Sequence, residues 1–174
     1  MRLFHVSEEN DIQIFHPRKP SRTDLDPTIP LVWAINEECL PNFLTPRHCP
    51  RVCYHIGPNT TVDDSERHFS ATTNTHVVMI EHNWFQIMKE TTLYLYEFNP
   101  KQFSLLDADA GYYTSMHTQV PIAKTAITDL FNAHFERGVE VRVVDHLWDA
   151  YDSIQKTTFR WSMCKMANAK PRTA

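Results

Sequence analysis

Residues 2–7 read RLFHVS, a short, apolar-rich and alternating run that predicts a strand, with Leu3 and His5 on one face and Phe4 and Val6 on the other. The same signature recurs outward from it. LVWAI (31–35), RVCYHI (51–56), HVVMIE (76–81), LYLYEF (93–98) and VEVRVV (139–144) are all of strand length and rich in β-branched or aromatic residues. Weaker strands are expected over 103–106 and 111–115, separated by the acidic corner 107–109. Short helical patterns lie between the strands. One is capped by Asn36 and runs to about Leu44, confined or kinked by Pro41; the others are VDDSERHF (62–69), NWFQIMKE (83–90) capped by Asn83, and HLWDAYDSIQK (146–156), started near Asp145. The best-patterned helix begins at Pro121 and ends before Gly138, with Ile122, Ala126, Ile127, Leu130, Phe131 and Phe135 as a core-facing stripe. Strands interleaved this irregularly do not make a strict βαβ repeat. They predict an α+β fold: one domain over residues 1–164, with a mixed or mainly antiparallel, split sheet and short flanking helices. Residues 17–30 read as a long ordered or semi-ordered loop, and 165–174 as a solvated, frayed basic tail.

The 174 residues weigh 20.4 kDa, the size of one domain. With 42% apolar residues they can build a core, which excludes disordered and collagen-like classes. Twenty-one acids against 17 bases leave a net charge of −4, and no stretch concentrates the bases, so a duplex nucleic-acid footprint is not expected. No apolar run approaches the 18 or so residues of a membrane span. MRLFHVSEE lacks the apolar stretch of a signal peptide, so Cys39, Cys49, Cys53 and Cys164 are expected in a reduced, cytoplasmic protein. Three glycines, Gly57, Gly111 and Gly138, cannot build a Walker loop or a dinucleotide fingerprint.

Several residue groups have the chemistry of a site. His48, Cys49, Cys53 and His55 bring two thiols and two imidazoles into eight residues, a zinc-type ligand set, with two buried thiols and incidental histidines as the alternative. His5-Val6-Ser7 and His68-Phe69-Ser70 match the paired H-x-S triplets of two-histidine phosphoesterases, although the second lacks strand patterning. The loops PRKPSR (17–22) and PRHCPR (46–51) offer Arg18, Arg22, Arg47 and Arg51 as stiffened, fork-shaped donors for phosphate or carboxylate. Solvated pairing with Asp24, Asp26, Glu37 and Glu38 is the competing reading. Trp33, Tyr94, Tyr96, Tyr112 and Tyr113 are core or sheet-face aromatics, of which one or two suit the stacking wall of a pocket. No G-x-S-x-G elbow exists.

The segments LFHVSEE, LVWAINEECLPNFLTPRHCPRV, TTLYLYEF, AGYY and PIAKTAITDLF together resemble, over nearly the whole chain, a family of uncharacterised bacterial proteins with no assigned activity. A weaker similarity is to the ADP-ribosyltransferase superfamily. Its split sheet opens with a strand ending in histidine, carries an aromatic on a following strand and ends with an acid near a late strand. The resemblance implies that His5 in LFHVS holds a ribose hydroxyl of NAD and that Trp33 in LVWAI stacks on nicotinamide. An acid would steady the oxocarbenium-like ribose as nicotinamide leaves. GYYTSMHTQVP holds Gln119 and no carboxylate, so that acid would come from Asp107 or Asp109 just upstream. The pyrophosphate would fall to an arginine such as Arg18 or Arg51. Two readings follow: transfer from NAD to an unknown acceptor, or a non-catalytic ligand-binding or protein-interaction domain on the same scaffold. Either would take a nucleotide-like small molecule.

Overall fold

The strand expected at the start of the chain forms, and it takes partners along both of its edges. The computed structural model describes residues 1–20, 22–71 and 73–172. In chain order the elements are β1 (Leu3–Ser7), β2 (Val32–Asn36), β3 (Arg51–His55), α1 (Val62–His68), β4 (His76–Glu81), α2 (Phe85–Glu90), β5 (Leu93–Phe98), β6 (Ser104–Asp107), β7 (Tyr112–Ser115), β8 (Ala123–Ile127), α3 (Leu130–Phe135), β9 (Val139–Val144), α4 (Trp148–Ile154) and β10 (Arg160–Cys164). The class is α+β, with one antiparallel sheet, one mixed sheet and short helices.

The chain divides into two compact units, Met1–Leu40 with Leu93–Ile127, and Pro41–Thr92 with Thr128–Ala174. The first holds a six-stranded sheet in the order β6-β7-β2-β1-β5-β8, antiparallel throughout. Leu3, Phe15, Val32, Ala34, Tyr96 and Phe98 form its core. Phe15 reaches that core from the segment after β1, which Tyr96 pins by donating its hydroxyl to Glu9 O (2.6 Å) and accepting from the Ile12 N–H (3.2 Å). The second unit holds a four-stranded sheet, β10-β3-β4-β9, in which β4 and β9 run parallel. Val52, Tyr54, Val77, Leu147, Ile154 and Phe159 pack on one of its faces.

Several local expectations are corrected. Residues 121–137 are not one helix: 123–127 form the edge strand β8 against β5, and only Leu130–Phe135 is helical. β5 presents an open row of backbone donors and acceptors that β-branched Thr125 and Ile127 suit, and Asp129 caps α3 by accepting from the Asn132 N–H. Of the expected core stripe Leu130 is fully buried, whereas Ile122 and Phe135 are 63% and 79% exposed. After β2, Asn36 accepts from the Cys39 N–H as expected, but Pro41 leaves only a 3-10 turn over Leu40–Phe43. Residues 165–172 are not frayed, because Lys170 and Arg172 are tied to Glu81, Asp145 and Asp152. Two helix starts are also displaced. Asp145 pairs with Lys170 instead of capping, and α4 begins at Trp148; β4 runs through Glu81 into a 3-10 turn, so Asn83 lies inside that turn.

Gly111 is required where β7 begins. Its φ is +67°, and a Cβ there would lie 2.4 Å from Asn36 Oδ1 and 2.7 Å from Cys39 Cβ. A left-handed backbone costs a side chain about 1–2 kcal/mol, and overpacking adds about as much again. Gly111→Ala should therefore lower unfolding stability by at least about 2 kcal/mol in a urea titration. Gly138→Ala, at φ +66° but with nothing within 4 Å, should cost only the backbone share. Equal midpoints for the two variants would mean that Asn36 and Cys39 yield.

Candidate functional site

Strand alternation sorts the expected site residues of the first unit before any side-chain contact does. His5 lies opposite Tyr96, on the face of Leu3 and Phe98. Phe4 lies opposite Ile35, so Trp33, two residues from Ile35, belongs to the other face. His5 meets the backbone of Trp33, its Nδ1 donating to the Trp33 carbonyl (3.2 Å). The His5 ring packs 4.9 Å from Phe15.

The Trp33 face gathers four of the expected residues. The Trp33 and Tyr112 rings are half-buried and edge to face, 5.3 Å apart at 88°. Asp107 is the register partner of Tyr112, across an irregularity in the β6–β7 ladder. Its Oδ1 accepts from the Ala110 N–H (3.1 Å) and its Oδ2 from Arg22 Nη1 (3.3 Å). Arg22 also donates through Nε and Nη2 to both oxygens of Asp24 (3.0 and 2.7 Å). These bonds raise the Arg22 pKa further and hold that of Asp24 below the usual carboxylate range.

The other candidates of this unit lie elsewhere. Asp109 is exposed in the β6–β7 turn, its carbonyl 3.8 Å from Cys39 Sγ. Arg18 is exposed, and its backbone pairs with Leu31. Gln119, where the resemblance calls for an acid, is buried and donates its amide to Ser115 Oγ (2.9 Å) and Gln102 Oε1 (3.0 Å).

In the second unit Arg47 is exposed, and Arg51 is buried and committed to the backbone. Its Nε donates to Asn42 O (2.5 Å) and its Nη1 to Cys49 O (3.0 Å), with the guanidinium over Phe43. No zinc set assembles: among the described residues no three or more His, Cys, Asp or Glu side chains are placed to hold a metal ion. His48 is exposed, and burial pushes the Cys49 thiol up to about 12, far from the thiolate that zinc takes. His68 ends helix α1, with its ring 5.8 Å from that of Phe159, and does not lie on a strand to match His5.

Three histidines are buried in this unit: His55, the last member of the zinc-type set, and His76 and His134, which no sequence motif singled out. His55 and His76 are register partners whose rings stack at 4.9 Å. His76 Nε2 lies 2.7 Å from Asn42 Oδ1. His134 has Nδ1 2.6 Å from Leu130 O and Nε2 3.1 Å from Pro41 O. Burial, then the nearby His55 and His134, takes the His76 pKa down to about 3. Burial also lowers that of His134, against the two carbonyls, which favour its protonated form.

Residues 4–169 match a family of unknown function, DUF6886. The chain belongs to the DUF6886 family. A search of curated proteins and a search of solved structures each found no match, so neither carries the resemblance to ADP-ribosyltransferases. No helix among the described residues of this DUF6886 member is long and apolar enough to cross a membrane.

The buried histidines set a pH dependence. The folded pKa values of His76 and His134 lie below the unfolded value of about 6.5, so the unfolded chain protonates first. Stability is complete above about pH 6.5 and falls as the pH drops towards 3. Between pH 7 and 5, above the carboxylate range, His76 alone should cost about 2 kcal/mol. Urea midpoints over that window test this. A flat profile would mean that these imidazoles take up protons in the folded DUF6886 chain as they do in the unfolded one.

Proposed function

We propose that this DUF6886 protein binds NAD or an ADP-ribose-like nucleotide on the Trp33 face of its six-stranded sheet, without transferring ADP-ribose. The observation that carries the reading is the half-buried Trp33–Tyr112 pair on the same face as Arg22 and Asp107. An indole face stacks on a base or on nicotinamide, and such stacking is worth about 1–3 kcal/mol per base. Arg22 supplies a planar fork for phosphate, and Asp24, whose side chain is 58% exposed, is the partner that a phosphate would displace.

Transfer needs more than this face offers. Both Asp107 oxygens are engaged, by the Ala110 N–H and by Arg22, so the carboxylate acts as a positioning group for Arg22. His5 belongs to the opposite face of the sheet from Trp33, so the ribose-holding and stacking roles do not fall on one ligand.

A thermal-shift screen with NAD, ADP-ribose and nicotinamide tests the proposal. A ligand at a hundred times its Kd adds about 2.7 kcal/mol, or roughly 5–10 °C for a chain of this length. The shift should disappear in Trp33→Ala and persist in His5→Ala. No shift with any of the three ligands, or a shift lost in His5→Ala and kept in Trp33→Ala, would overturn the assignment. Nicotinamide release that stops in Asp107→Asn would restore transfer.

A further inference from the structure

The segment 168–172 is held by groups that contact both its backbone and its side chains. The Lys170 N–H donates to both oxygens of Glu81 (3.0 and 3.1 Å), and the Lys170 carbonyl accepts from the Trp148 indole N–H (2.7 Å). The Lys170 ammonium meets Asp145 Oδ1 at 2.5 Å. Two residues on, Arg172 pairs with Asp152 Oδ1 (2.5 Å), and its guanidinium lies 4.9 Å over the Trp148 ring. Asn168 anchors the near end by donating to His48 O (2.8 Å).

The receiving groups come from few, well-held places. Glu81 ends β4, Asp145 follows β9, and Trp148 and Asp152 stand one turn apart on α4 and so share a side of that helix. Glu81 is fully buried, and a buried carboxylate needs a donor; the Lys170 amide supplies it. Pro171, between the two basic residues, fixes φ and lowers the entropy lost when the segment seats. Main-chain bonds for affinity, with alternate side chains read by charge and an aromatic ring, are the means by which grooves recognise extended peptides.

We propose that Glu81, Asp145, Trp148 and Asp152 form a peptide-recognition groove for an extended Lys-Pro-Arg segment, with residues 168–172 of the same chain as its resident ligand. The groove is closed in cis. Anything that lifts the resident segment opens it to a second segment of the same chemistry. The Lys170 and Arg172 ion pairs are exposed, so they contribute selectivity more than strength.

The test uses the chain carrying Lys170→Glu and Arg172→Glu, which sets like charges against Asp145 and Asp152, lifts the resident segment and leaves the groove residues unchanged. A synthetic peptide of residues 166–172, MANAKPR, is titrated into it while the Trp148 indole N–H is followed by NMR. The resonance should shift saturably, and the same peptide with Lys170→Glu and Arg172→Glu should bind at least tenfold more weakly. A folded variant that ignores the native peptide at millimolar concentration, or takes both peptides equally, overturns the proposal. If circular dichroism shows the variant unfolded, the wild-type protein decides. Its Trp148 indole N–H should exchange with solvent at least tenfold faster than the β3 amides, through opening of the segment alone. Exchange only at the rate of global unfolding would make the segment part of the core and not a ligand.

Discussion

The five-residue ladder between β1 and β5 is the constraint on which the first unit depends. Leu3 to Ser7 pair one for one with Phe98 to Tyr94, while the other edge of β1 is taken by β2. Once that register is set, alternation alone decides what can meet. Leu3, His5, Tyr96 and Phe98 face one way, and Phe4, Trp33, Ile35 and Tyr112 the other. A slip of one residue would exchange the two sets. The functional reading of the chain therefore turns on a backbone property: residues that look like one constellation in the sequence are divided between two sides of a sheet.

On the Trp33 side, electrostatics decides what the remaining residues can do. An arginine shared by two aspartates is held in place and largely neutralised, so it positions well and attracts weakly. An incoming phosphate gains a preformed fork only by replacing the more exposed carboxylate. Asp107 is spent on Arg22 and on its own turn, the opposite of the desolvated, unspent carboxylate that stabilises a developing cation.

The second unit hides its polar chemistry instead of presenting it. Arg51, His76 and His134 are buried, and each ends on a carbonyl or amide oxygen of residues 41–49 or of α3. Buried polar groups must be satisfied, and here the 3-10 turn after β2 and its continuation provide the acceptors. That arrangement makes Arg51 a support for the loop, and burial keeps the Cys49 thiol protonated. Glu81 follows the same rule at the other end of β4, where its donor is the backbone of a segment 89 residues away.

By itself the sequence determined the α+β class, the strands at 3–7, 32–36, 51–55, 76–81, 93–98 and 139–144, the weaker ones at 104–107 and 112–115, and the short helices at 62–68, 85–90 and 148–154 apart from their starts, because period and β-branched content are local properties. It also brought Trp33, Tyr112, Arg22 and Asp107 onto one list of candidates. Tertiary structure decided the rest. Residues 123–127 became a strand because the open edge of β5 offered hydrogen bonds worth more than the helical period of their side chains. Asp145 lost its capping role, and the basic tail its freedom, to partners far along the chain. Whether His5 and Trp33 share a site depends on register, and register belongs to a pair of strands; no single strand's sequence contains it.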